Sequence, residues 1–138
     1  MPPQSKSVLS ARTSAPPSIP PGVHFTTLPN GLTVITSLDR TTPTVAVNMW
    51  YHVGSKNEVK GRTGFAHLFE HVMFTGSGHV PYGLHDKLTE GVGGSNNGTT
   101  SNDRTIYYET VPSNYLETSL WIEADRMGFL LDSLDLKK

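Results

Sequence analysis

Apolar residues along this chain follow two rhythms, and the change from one to the other marks the elements. "HFTTLPNGLTVITSL" (24–38) alternates around Asn30-Gly31, which predicts two strands joined by a turn, because Asn-Gly between apolar runs suits the left-handed backbone of a tight hairpin. "TVAVNMWYHV" (44–53) puts Val45, Val47, Met49 and Tyr51 on one face and Ala46, Trp50 and His52 near the other, so a strand central to a sheet is expected. "RTIYYETV" (104–111) is β-branched and aromatic, the composition of a further strand.

Elsewhere the period lengthens. In "GFAHLFEHVMF" (64–74), Phe65, Leu68, Phe69, Val72 and Met73 form an i, i+3, i+4, i+7, i+8 stripe, which predicts a helix with that stripe toward the core and Thr63 as its N-cap. "LHDKLTEGV" (84–92) reads as a short helical stretch, and "GGSNNGTTSND" (93–103) as a flexible loop or strand edge. From Ser113, a possible cap, Leu116, Leu120, Ala124, Met127 and Leu131 keep close to helical period. Three strands, a helix, a short helical stretch, a strand and a long helix predict an α+β fold, a two-layer α/β sandwich with helices on a sheet.

The face of the 64–74 helix opposite its apolar stripe carries His67, Glu70 and His71. Residues three and four apart on a helix lie above one another, so these three side chains converge instead of spreading around the cylinder. Two histidines one turn apart can bring ring nitrogens to a single zinc ion, and a neighbouring carboxylate can take a proton from a zinc-activated water. The order His-x-x-Glu-His is the inverted form of the commoner zinc-peptidase motif. The competing reading is a charged face that is simply solvated; chance alone would produce the motif in roughly one chain in a hundred of this composition.

Composition narrows the chemistry. The chain has no cysteine, which removes thiolate ligands, disulfides and a cysteine nucleophile, and leaves His, Asp and Glu as the strong metal-binding side chains. Its 11 basic and 12 acidic residues give a net charge of -1, with no electrostatic footprint for nucleic acid. No run approaches the roughly 18 apolar residues of a membrane span, so no transmembrane segment is expected. Residues 1–22 are rich in Pro and Ser without either rhythm and read as a disordered leader; Lys6, Arg12 and the serines resemble a transit peptide, with an unstructured tail or a misassigned start as the other readings. Residues 23–138 are then the folded part.

Several segments in order carry a family resemblance: "LPNGLTVI", "GRTGFAHLFEHVMFTGS", "GGSNNGTTSNDRTIYYETVP" and "LWIEADRM". Together they resemble the M16 metallopeptidases, the pitrilysin, insulinase and mitochondrial-processing-peptidase group, over about Phe25 to Leu131. The resemblance implies a zinc-dependent endopeptidase acting on peptides or unfolded polypeptides, with His67 and His71 as zinc ligands and Glu70 as the general base. It also implies a second M16-like domain or subunit that closes a chamber around the substrate. The stretch matching "NNGTT" is implied to be an edge strand that pairs with substrate backbone, with Asn97 as a substrate-binding residue or else an ordinary turn residue; Gly98 stands where the family more often has Ala. The family's third ligand is a glutamate roughly 76 residues beyond the second histidine, past Lys138. The chain is therefore expected to be the N-terminal part of such a domain, truncated at the C-terminus, with one incomplete zinc site. A non-catalytic peptide-binding subunit or an inactive truncated copy is the alternative.

Other polar residues receive plainer expectations. His79 and His85 lie off the convergent face and are expected to be solvated. Glu117, Glu123 and Asp125 are available in principle as a third ligand. Arg104 and Arg126 suit structural ion pairs as well as function, and Trp50, Tyr107 and Tyr108 are expected in packing. The family occurs in bacterial cytoplasm and envelope and in mitochondria, and "SNDRTIYYETVP" leans toward a bacterial member.

Overall fold

The computed structural model describes residues 20–134. The leader expected over 1–22 therefore lies almost wholly outside the described residues. The chain divides between Thr41 and Thr42 into two compact units. In the first, β1 (Val23–Thr27) pairs antiparallel with β2 (Thr33–Ser37). The Asn30-Gly31 turn forms as its sequence predicts: the Gly31 N–H donates to the Leu28 carbonyl at 2.9 Å, and the Leu28 N–H donates to that of Leu32 at 2.8 Å.

The second unit holds a three-stranded antiparallel sheet in the order β3 (Thr44–Tyr51), β5 (Thr105–Pro112), β4 (Ser95–Thr100). Helices α1 (Phe65–Val72), α2 (Leu84–Glu90) and α3 (Leu116–Phe129) pack on one face, which gives the expected two layers. Period-two alternation sorts the strands: Val47, Tyr107 and Val111 are buried beneath the helices, while Ala46, Asn48, Tyr108 and Asn97 are exposed on the other side. Two strand expectations change. The segment 44–51 is an edge strand of this sheet and not its centre, because β5 takes the middle and pairs on both sides. The polar "SNNGTT" stretch forms a regular edge strand, held by the ladder to β5.

The helices also differ from their apolar patterns. In α3 the buried residues are Ser119, Ile122, Glu123, Asp125 and Arg126, whereas the periodic Leu116, Leu120, Ala124, Met127 and Leu131 are exposed. The polar face points inward because β5 and α2 present charged partners to it. The stripe of α1 behaves similarly: Phe65, Leu68 and Phe69 are exposed, Val72 is half-buried, and only Met73, just past the helix end, is buried. Trp50 is 63% exposed and Tyr108 also lies open, so of the three aromatics expected in packing only Tyr107 is in the core. Neither expected cap forms. Gly64 occupies the N-cap of α1 in place of Thr63, and a 3-10 turn over Ser113–Tyr115 precedes α3 with no side-chain cap.

The inversion of α3 makes a direct prediction. Ile122 is 1% exposed and Leu120 is 51% exposed. Ile122→Ala should therefore cost about 2–5 kcal/mol of folding stability, and Leu120→Ala should stay within about 0.5 kcal/mol, as measured by urea denaturation; the reverse order would contradict this placement.

Candidate metal centre

The helix bearing the motif is held at its start by a carboxylate from outside it. Glu58 accepts hydrogen bonds from the N–H groups of Gly64 (2.7 Å, Oε2) and Ala66 (2.8 Å, Oε1), two of the donors that a helix start leaves without partners. Bonds from Ala66 and Gly64 hold the Glu58 carboxyl below its ordinary range. The loop that carries Glu58 is itself tied to the β4–β5 turn, since Ser55 N–H donates to the Ser101 carbonyl and Lys56 N–H to that of Asn102. Gly54 permits this approach: a Cβ there would sit 2.3 Å from the Ser101 oxygen. So the end of the β4–β5 hairpin fixes the start of α1.

On α1, the Nε2 atoms of His67 and His71 lie 3.1 Å apart, with ring centroids separated by 4.8 Å. Two imidazole nitrogens bound to one tetrahedral zinc at about 2.0–2.1 Å lie roughly 3.3 Å apart, so the pair fits a shared cation as well as it fits a shared proton. Glu70 points to β4, where its Oε2 accepts a hydrogen bond from the Thr100 hydroxyl. A depression of about 350 Å3 opens here, lined by His67, Glu70 and the Gly98–Asn102 segment. Gly98 lets β4 approach, since a Cβ would meet Phe74 Cε2 at 3.1 Å and Glu70 Cγ at 3.3 Å. Among the described residues, no third His, Asp or Glu joins the histidine pair. A larger trough of about 660 Å3, walled by Tyr51, Val59, Phe65, Phe69 and Met73, holds none of the three motif residues.

Asn97 is exposed on β4, and its Oδ1 accepts from the Gly98 N–H at 2.8 Å. Of the residues considered as further ligands, Glu117 is exposed and joins no such group, and Glu123 and Asp125 are engaged elsewhere. Asp125 accepts from the Ser77 hydroxyl (2.5 Å), the His79 N–H (3.1 Å) and His79 Nδ1 (2.5 Å). Burial alone would raise its pKa, but these bonds outweigh burial and hold the carboxyl below its ordinary range. His79 is thus a tether between the 76–82 loop and α3, although its ring remains largely exposed.

His85 is not solvated. It is buried with Glu109 of β5 and Glu123 of α3, their donor atoms all within 4.8 Å of one another. Arg126 enters this cluster: Nη2 donates to His85 Nε2 at 2.7 Å, and Nη1 lies 3.5 Å from Glu123 Oε1. The guanidinium also stacks 5.1 Å from the Phe74 ring and 4.8 Å from that of Tyr107. It is the resident cation, and it occupies the nitrogen lone pair that a metal would need. Position 109 carried a signal in the sequence, because its glutamate is in inward phase with Tyr107 and Val111.

A family model described as insulinase, peptidase family M16, matches residues 33–130. This chain belongs to the M16 family. Its M16 relatives include the zinc protease PqqE of Helicobacter pylori, 38% identical over 113 residues that make up 81% of this chain and 24% of that protein. The mitochondrial-processing peptidase subunit beta of Blastocladiella emersonii is 36% identical over 110 residues, 75% of this chain and 23% of that one. The crystal structure of a protease from Helicobacter pylori superposes with a TM-score of 0.78 at 36% identity, covering 83% of this M16 chain and 27% of that chain. The chain thus spans about a quarter of the length of these relatives. Among its described residues, no helix is long and apolar enough to cross a membrane.

The buried cluster predicts a pH effect. Burial pushes the Glu109 carboxyl above its ordinary value of 4.5, against the Ser119 hydroxyl, His85 and Arg126. A raised carboxyl favours folding in its protonated form, so its contribution is full below pH 4.5 and is lost as pH rises through the elevated folded value. Glu109→Gln should therefore show a flatter fall in stability above pH 4.5 than the parent chain in thermal melts across pH; an unchanged pH profile would contradict it.

Proposed function

We propose that the protein containing this chain is a zinc-dependent endopeptidase that cleaves peptides or unfolded polypeptides, with His67 and His71 holding the metal and Glu70 as the general base. The observation that carries this reading is the 3.1 Å approach of the two Nε2 atoms, with Glu70 on the same face of the same helix. When bound, zinc acts as a Lewis acid on a carbonyl and lowers the pKa of a water to about 7. Glu70 accepts the proton of that water and returns it to the leaving amine. The Thr100 hydroxyl, donating to Oε2, restrains the Glu70 rotamer and leaves Oε1 for proton transfer.

The substrate is positioned by β4. As the edge strand beside the motif helix, it offers unpaired backbone groups to which an extended peptide adds as a further strand. Asn97 binds that backbone through its side-chain amide. A third carboxylate ligand from sequence beyond this chain completes the zinc site, and a second M16-like domain or subunit closes the chamber; a relative named as a processing-peptidase subunit favours this arrangement.

In the full-length protein, Glu70→Gln should lower peptide turnover by about 10²–10⁴-fold while zinc content, measured by metal analysis, stays at the parent level. Turnover that survives the substitution would overturn the role of Glu70. Peptide binding without turnover in the parent protein would favour a non-catalytic, peptide-holding subunit.

A further inference from the structure

We infer that Asn97-Gly98 is a site of spontaneous covalent modification, at which the Gly98 backbone nitrogen attacks the Asn97 side chain and converts its amide to a carboxylate. The phase of the β4–β5 ladder sets up the contact. The Ser101 N–H donates to the Arg104 carbonyl at 2.8 Å, so Ser101, Thr99 and Asn97 are the residues of β4 that exchange backbone bonds with β5. Gly98 falls between them, and its N–H points out of the free edge. There it donates to Asn97 Oδ1 at 2.8 Å. The nitrogen, the Asn97 carbonyl carbon, Cα, Cβ and Cγ are consecutive atoms, so a bond from the nitrogen to Cγ closes a five-membered ring, and the hydrogen bond keeps the side-chain carbonyl beside that nitrogen. Proximity of the reacting groups is a main requirement of an intramolecular reaction. Glycine adds no Cβ to shield the nitrogen.

The step balances without a cofactor. The Gly98 nitrogen gives up its proton to base and bonds to Cγ; the Cγ–Nδ2 bond breaks and ammonia leaves, giving a cyclic imide. Water then opens either imide carbonyl, leaving an aspartate or an isoaspartate at position 97. The isoaspartate route adds a main-chain carbon, which disturbs the alternation that points Thr100 at Glu70.

The same dipeptide occurs at Asn30-Gly31 in a different geometry. There the Gly31 N–H is engaged by the Leu28 carbonyl at 2.9 Å, and Asn30 Oδ1 accepts from Leu32 N–H at 3.1 Å, past the Gly31 nitrogen. The two sites therefore serve as each other's control.

The test incubates the 138-residue chain at mildly alkaline pH with two synthetic peptides spanning residues 26–35 and 93–102 as unstructured references. Conversion is followed by peptide mass spectrometry and enzymatic isoaspartate labelling. Asn97 in the chain should convert at least as fast as in its peptide, while Asn30 lags its own peptide by about tenfold or more. Retardation at Asn97 would overturn the inference, as would both sites converting at their peptide rates, since the fold would then make no distinction. The readout requires neither zinc nor peptidase activity.

Discussion

The second unit of this chain is organised around one buried cation. Arg126 packs against both the Phe74 and Tyr107 rings, donates to His85 and faces Glu123, so that the exit of α1, helix α2, strand β5 and helix α3 all contribute to a single cluster. A buried guanidinium is costly to desolvate, and removing one member of such a set typically costs about 3–5 kcal/mol because the partners are left uncompensated. The cluster therefore sets the position of α3 more strictly than apolar contact would. It also reaches the strand beside the motif, because Phe74 and Tyr107 are, with Glu70, the side chains that a Cβ on Gly98 would meet.

That constraint explains why α3 is inverted. With Ser119, Glu123, Asp125 and Arg126 required inside, its leucines and Met127 face outward. The phenylalanines of α1 likewise border an open apolar trough of about 660 Å3. The motif site depends on it little: α1 is fixed at one end by Glu58 and at the other by Phe74, and β4 closes over Glu70 through Gly98 and Thr100.

Much of this was legible in the sequence, and the exceptions share a cause. The hairpin around Asn30-Gly31 and the approach of His71 to His67 rest on local geometry, which neighbouring residues decide, whereas Glu70 turns from the pair to the Thr100 hydroxyl of β4. Strand β4 was readable as an edge but not as regular structure, since "SNNGTT" has little strand preference of its own and is held by its ladder to β5. The burial of His85 was hidden, because Asp86 and Lys87 beside it suggest a wet helix. The cap of α1 was assigned to the adjacent Thr63, whereas Glu58 reaches it from a loop that a distant turn positions. In each case a tertiary partner overrode a local preference, and Glu109, in phase with buried neighbours, was the one residue announcing it.

The most direct test of the account is zinc titration of the full-length protein by calorimetry, compared with His71→Ala and Glu109→Gln. The account predicts one zinc-binding event per chain that is lost in His71→Ala and kept in Glu109→Gln, because Arg126 already fills the buried cluster. Zinc binding that survives His71→Ala and disappears in Glu109→Gln would place the metal in that cluster and contradict the account.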